Sequence, residues 1–129
     1  MRKFLFTAVF FLGSLTLFGQ SQDLKKFRTG RFLLLSNTEG DCVIIRRGTH
    51  QVEFMEKTGV QATFSVKWLS DSVYTLKPTK GSVRLFPRFP KDALLTVRIL
   101  EARENSYLQL TSSNFDDHKY ISEIFKIED

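Results

Sequence analysis

Gln61-Ala62-Thr63-Phe64-Ser65-Val66-Lys67-Trp68 is the stretch on which the fold is decided. Ala62, Phe64, Val66 and Trp68 are apolar, while Thr63, Ser65 and Lys67 are polar. A strict period of two places one set in a core and the other in water only if the chain is a strand. The aromatic and β-branched side chains suit the pleated surface.

The same alternation extends outward from this stretch. Val52 and Phe54 alternate with Gln51 and Glu53, Leu95, Val97 and Ile99 alternate with Thr96 and Arg98, and Leu108 and Leu110 flank Gln109. The apolar members are expected to face inward. Turn-forming residues fall at 37–40, 48–49, 58–59, 70–71, 78–82, 87–92, 104–105 and 112–117. They separate nine short segments at the spacing of an all-β fold. Connections this short favour antiparallel neighbours.

Two segments fit the pattern less well. Val83 to Phe86 runs into Pro87 and Pro90, and proline cannot donate to a ladder, so an edge strand or a loop is expected there. In 119–127, Tyr120, Ile121, Ile124 and Phe125 fit a helical face that Asp116 or Asp117 would cap. Ile121, Phe125 and Ile127 fit a strand with Glu123 as the misfit, and a meander of this length needs a closing strand. The expected fold is all-β: a single antiparallel meander closed into a barrel of eight or nine strands, which removes the exposed edges. A two-layer β-sandwich is the alternative.

The chain opens with Arg2 and Lys3, continues without a charge from Phe4 to Phe18, and leaves through Gly19-Gln20-Ser21. A positive start, a short apolar run and a small-x-small exit read as a secretory signal peptide over 1–21, with one all-β domain over 22–129. The run is shorter than the roughly 20 residues of a spanning helix, so no transmembrane anchor is expected after cleavage. The expected location is secreted or periplasmic. Losing Arg2 and Lys3 lowers 19 Lys and Arg to 17 against 14 Asp and Glu, a net charge of +3 instead of +5. The single Cys42 forbids an internal disulfide and reads as a small buried apolar residue.

Gly30-Arg31-Phe32, with Phe27 before it, resembles the first strand of lipocalin-like and fatty-acid-binding barrels, which open on a Gly-x-aromatic pattern. A longer likeness runs through Phe27-Arg28-Thr29-Gly30-Arg31-Phe32, Ile45-Arg46 and Val66-Lys67-Trp68-Leu69-Ser70-Asp71-Ser72-Val73-Tyr74. These pieces are similar to a group of small leader-bearing bacterial proteins without an established function, some labelled DNA topoisomerase IV. A topoisomerase needs a nucleophilic Tyr, metal-binding carboxylates and hundreds of residues. Members often carry Cys where this chain has Ser72, so the resemblance brings no disulfide to this chain.

The catalytic inventory is thin. Cys42 with His50 and an Asp could in principle form a nucleophile–base–orienter set, but His50 sits in the Gly48-Thr49-His50 turn, where a polar residue needs no catalytic reason. Asp116-Asp117-His118 matches no zinc or calcium loop. Among Glu53, Glu56, Asp71 and Glu101 no spacing selects an acid–base pair. No catalytic residue, metal or cofactor is expected. Phe54, Phe64 and Trp68 are the candidate ligand-binding residues of the interior. Arg84, Phe86, Arg88, Phe89 and Lys91 form a candidate surface patch, in which cations interleave with aromatics. The expected partners are a small apolar or anionic amphipathic ligand or an envelope protein. Export argues against nucleic acid.

Overall fold

Residues 23–35, 40–85 and 89–129 are described by the computed structural model; the signal peptide expected over 1–21 lies outside the described residues. A 3₁₀ segment, Asp23–Phe27, leads into β1 (Gly30–Leu34), β2 (Cys42–Arg47), β3 (His50–Met55), β4 (Gln61–Trp68) and β5 (Val73–Pro78). A short helix, α1 (Lys80–Leu85), then precedes β6 (Leu95–Ala102), β7 (Ser106–Ser113) and β8 (Tyr120–Glu128). Each strand pairs with the next, and β8 returns antiparallel to β1 through Phe32↔Lys126 and Leu33↔Phe125. The sheet is therefore a closed eight-strand barrel rather than a sandwich, and 119–127 lies in its closing strand.

Register decides which side chains face inward, because residues directly opposite in an antiparallel ladder share a face. One inward row is Phe32, Ile44, Glu53 and Ala62 across β1 to β4. The next is Gly30, Arg46, Gln51 and Phe64. On β4 the expected face points inward, and Ala62, Phe64 and Val66 are buried. On β3 the expectation is reversed: Gln51 and Glu53 face the interior, while Val52 and Phe54 face outward. β7 is reversed in the same way, since Val97↔Thr111 and Ile99↔Gln109 carry Gln109 inward and leave Leu108 and Leu110 outside. A bulge at Leu100 then flips the parity of β6 and turns Ala102 inward against Tyr107.

Val83 belongs to α1 rather than to a strand or a loop. Thr79 starts this helix: its carbonyl accepts from Val83 N at 3.0 Å, and its hydroxyl accepts from Ser82 N at 3.4 Å. Ser82 Oγ in turn accepts from Thr63 N at 2.8 Å, which fixes the helix to β4.

The barrel has two different ends. The 3₁₀ segment and the tight turns after β2, β4 and β6 lie at one end. At the other end lie α1 and the described turns 56–60 and 114–119.

Candidate ligand chamber

Leu24 and Phe27 of the 3₁₀ segment plug the first end, buried with Phe32, Ile99, Ala102, Tyr107 and Ile124. Phe27 tilts against Tyr107 at a ring separation of 4.9 Å. Lys126 donates to the Lys26 carbonyl and ties the plug to the last strand. Beside the plug, Trp68 tilts against Tyr74 at a ring separation of 4.5 Å, with the Arg28 guanidinium 4.8 Å from its ring.

A buried polar layer lies above the plug. Arg46 is fully buried, with its guanidinium 4.7 Å from the ring centres of both Phe32 and Tyr74. Its Nε donates to Gln51 Oε1 at 2.7 Å, Nη1 to the Phe27 carbonyl at 2.6 Å, and Nη2 to the hydroxyls of Tyr74 and Tyr107 at 3.0 and 3.1 Å. Arginine can only donate, so the other polarities follow from it. Tyr107 donates to Tyr74, and Tyr74 donates to Gln109 Oε1 at 3.2 Å. Gln109 Nε2 then donates to Thr111 Oγ1 and Ser122 Oγ at 3.3 and 3.4 Å. Burial, followed by the neighbouring Tyr107, pushes the Tyr74 phenol well above its ordinary value, so it remains a neutral donor.

The same logic fixes Gln51. Its oxygen faces Arg46 Nε, so its amide nitrogen must donate to Glu53 Oε2, at 2.7 Å. Burial raises the pKa of Glu53, opposed by this hydrogen bond and by the charge of Arg46.

Toward the second end the inward residues divide: Cys42, Ala62, Phe64 and Leu76 are buried, and others are only partly so. Glu53, Gln109, Thr111 and Ser122 are half-buried, as are Leu34, Met55 and Leu95. Phe64, Leu76 and Val97 form a buried apolar wall with Leu95 and Phe89 against it. Phe89 meets Phe64 edge-on at 6.2 Å and Phe115 at 6.0 Å. The interior therefore combines a buried polar layer, one apolar side packed under Phe89 and one side bearing hydroxyls and amides.

The expected ligand residues therefore separate. Phe64 lines the chamber and Trp68 lies inward at the plugged end. Phe54 is 40% exposed on the outer surface, opposite Val43 and Gln61. In the expected surface patch, Phe89 turns inward to the chamber and Lys91 is exposed. Arg84 lies in α1, and Phe86 and Arg88 fall outside the described residues. Among the described residues no group of three or more His, Cys, Asp or Glu is placed to hold a metal ion. His118 pairs with Asp116 at 2.7 Å on the surface. Cys42 and His50 lie at opposite ends of paired strands, and Cys42 pairs with Met55 at the open end.

Arg46, Gln51, Glu53, Tyr74, Tyr107 and Gln109 were not singled out as a site by the sequence reading. The two-residue turn Gly48-Thr49 carried a usable signal, since it forces Arg46 opposite Gln51 and Ile44 opposite Glu53. The fold defines the class as closed eight-strand antiparallel barrels, here with a part-polar interior. Comparison with family models, curated proteins and solved structures finds no match to this chain.

Proposed function

We propose that this protein is a secreted or periplasmic, lipocalin-like carrier that holds a small amphipathic molecule inside its barrel without transforming it. One observation carries the reading: Glu53, Gln109, Thr111 and Ser122 point inward yet keep solvent contact, above a floor whose polar groups satisfy one another. Four inward polar side chains that are only partly buried are unlike a closed apolar core, in which polar groups are costly. Binding sites instead combine apolar walls with a few convergent polar groups. The reading of a protein-interaction module is less well supported, since ring closure by β1 and β8 leaves no free strand edge for pairing.

Native mass spectrometry of the protein purified from its own compartment tests the proposal. A small-molecule adduct is expected, and it should disappear in Thr111→Phe, which fills the chamber from its polar wall. A clean apo mass in the wild-type protein, with no uptake of added amphiphiles, overturns it.

A further inference from the structure

We infer that the outer face of the β2–β3 hairpin docks a second copy of this chain, about a two-fold axis that runs across the strands. The carrier reading leaves this face unused, although Phe54, expected inside the barrel, stands exposed on it. Cys42, Ile44 and Arg46 are buried inside, so the residues between them point outward. Ladder register then orders the outward residues into four cross-strand pairs. Val43 lies opposite Phe54, Ile45 opposite Val52, and Arg47 opposite His50. Beyond Val43 and Phe54, Glu56 N donates to the Asp41 carbonyl at 3.0 Å, which extends the ladder to an Asp41–Glu56 pair. From the second end to the plugged end the face reads acidic, apolar, apolar, basic. Leu33 on β1, opposite Val43, and Phe125 on β8, opposite Leu33, carry the apolar middle further around the barrel.

Charge selects the occupant. Like charges directly opposite on paired strands repel. No salt bridge among the described residues relieves Asp41 and Glu56, and none engages Arg47. Lys57 follows Glu56 in the turn and has an interaction of its own. A second copy supplies the missing charge at each end. With the axis across the strands, the second end of one copy meets the plugged end of the other. Asp41 then faces Arg47, Glu56 faces His50, and the bulky Phe54 faces the smaller Val52, each contact occurring on both sides of the axis. An axis along the strands would set acid on acid and base on base. A lipid surface would need one sign of charge around the apolar residues, and this face carries both. Docking uses the face of the sheet, so the closed ring of strands does not prevent it. The apolar middle spans about four strands at ~4.8 Å spacing. That is near the low end of specific interfaces, so a dimer that dissociates at micromolar concentrations is expected.

Sedimentation velocity of the purified protein from about 1 to about 300 μM reads the association. The wild type should pass from monomer to dimer across this range. Arg47→Glu and Asp41→Lys should each weaken the dimer at least about tenfold, because like charges then meet on both sides of the axis. An equimolar mixture of these two variants should dimerise as the wild type does, since every acid at those positions again meets a base. Only the axis across the strands predicts that rescue. Phe54→Ser, at an exposed site, is the check that changes no charge, and it should abolish the dimer. A wild type that stays monomeric at the highest concentration overturns the proposal. So does a dimer that survives Phe54→Ser, or a mixture that associates no better than its two components.

Discussion

Arg46 meets Tyr74 twice: Nη2 donates to the phenol oxygen at 3.0 Å, while the guanidinium lies 4.7 Å from the ring centre. The same cation also holds β2 to β3 through Gln51, to the plug through Phe27 and to β7 through Tyr107. Arg46→Met would leave these acceptors buried without their donor. An unsatisfied buried group costs about 1–3 kcal/mol, so a total loss of at least about 3 kcal/mol is expected. Tyr74→Phe should cost less, about 1–2 kcal/mol. Urea unfolding of both single variants and the double variant checks the coupling. The double variant should lose clearly less than the sum, since each single change strands the other's partner. Strict additivity would show that the layer does not act as a unit.

Glu53 gives stability a pH dependence of definite sign. Burial raises its pKa in the folded protein, against the Gln51 hydrogen bond and the Arg46 charge. The folded state then holds the proton more tightly than the unfolded chain does. The contribution is fully present below the unfolded pKa and is lost as pH rises through the folded value. Glu53→Gln removes this dependence, so its Tm relative to wild type should rise as pH climbs above the ordinary carboxylate value of about 4. Thermal melts at several pH values test this, and a difference that stays constant across the range refutes it.

The barrel was legible because β4, β6 and the spacing of the turns each announce a half-buried strand without help from distant residues. The chamber was not, because hydrophobicity misassigns the two strands that build its polar side. On β3, Val52 and Phe54 are the more apolar pair, yet Gln51 and Glu53 face inward because ladder register is cooperative. Arg47↔His50 across the Gly48-Thr49 turn and Gln51↔Phe64 across β3 and β4 leave no freedom for one strand to rotate. Gln51 and Gln109 are tolerated inside only because Arg46 and Tyr74 satisfy them. Gln51 meets Arg46 across a two-residue turn, 5 residues away, whereas Tyr74 stands 35 residues from Gln109 and meets it across the interior from a strand that β6 separates from β7.

Gly30 occupies a position that a side chain cannot share. Its φ of +136° lies in a region that L-residues rarely adopt, and an added Cβ would stand 2.8 Å from the Glu128 carbonyl oxygen. That oxygen belongs to backbone at the β1–β8 closure and cannot swing away. Gly30→Ala should therefore destabilise the barrel by about 1–3 kcal/mol. Gly81→Ala in α1 is the control. Nothing lies within 4 Å of its added Cβ and no positive φ is required, so a gain of about 0.5–1 kcal/mol is expected. Denaturant midpoints of the two variants should move in opposite directions, and a shared direction would remove the steric account of Gly30.

Cys42 tests whether the open end is open to reagents as well as to a ligand. It faces inward between Leu34 and Met55 and is almost fully buried. Burial, with a smaller contribution from the charge of Glu53, pushes its thiol from 9.0 up to about 12. Three units leave about a thousandth of the ordinary thiolate fraction below pH 9, and the thiolate is the reactive form. Iodoacetamide at about pH 8 should therefore label the native protein orders of magnitude more slowly than the urea-unfolded chain. The raised value also means that the folded state favours the protonated thiol. That contribution holds below pH 9 and is lost as pH climbs toward about 12, so stability should decline across this alkaline window. Cys42→Ser should show a shallower decline in melts over the same range. Native labelling as fast as unfolded labelling would mean that the thiol stands in water, and the wall between Leu34 and Met55 would then have to open.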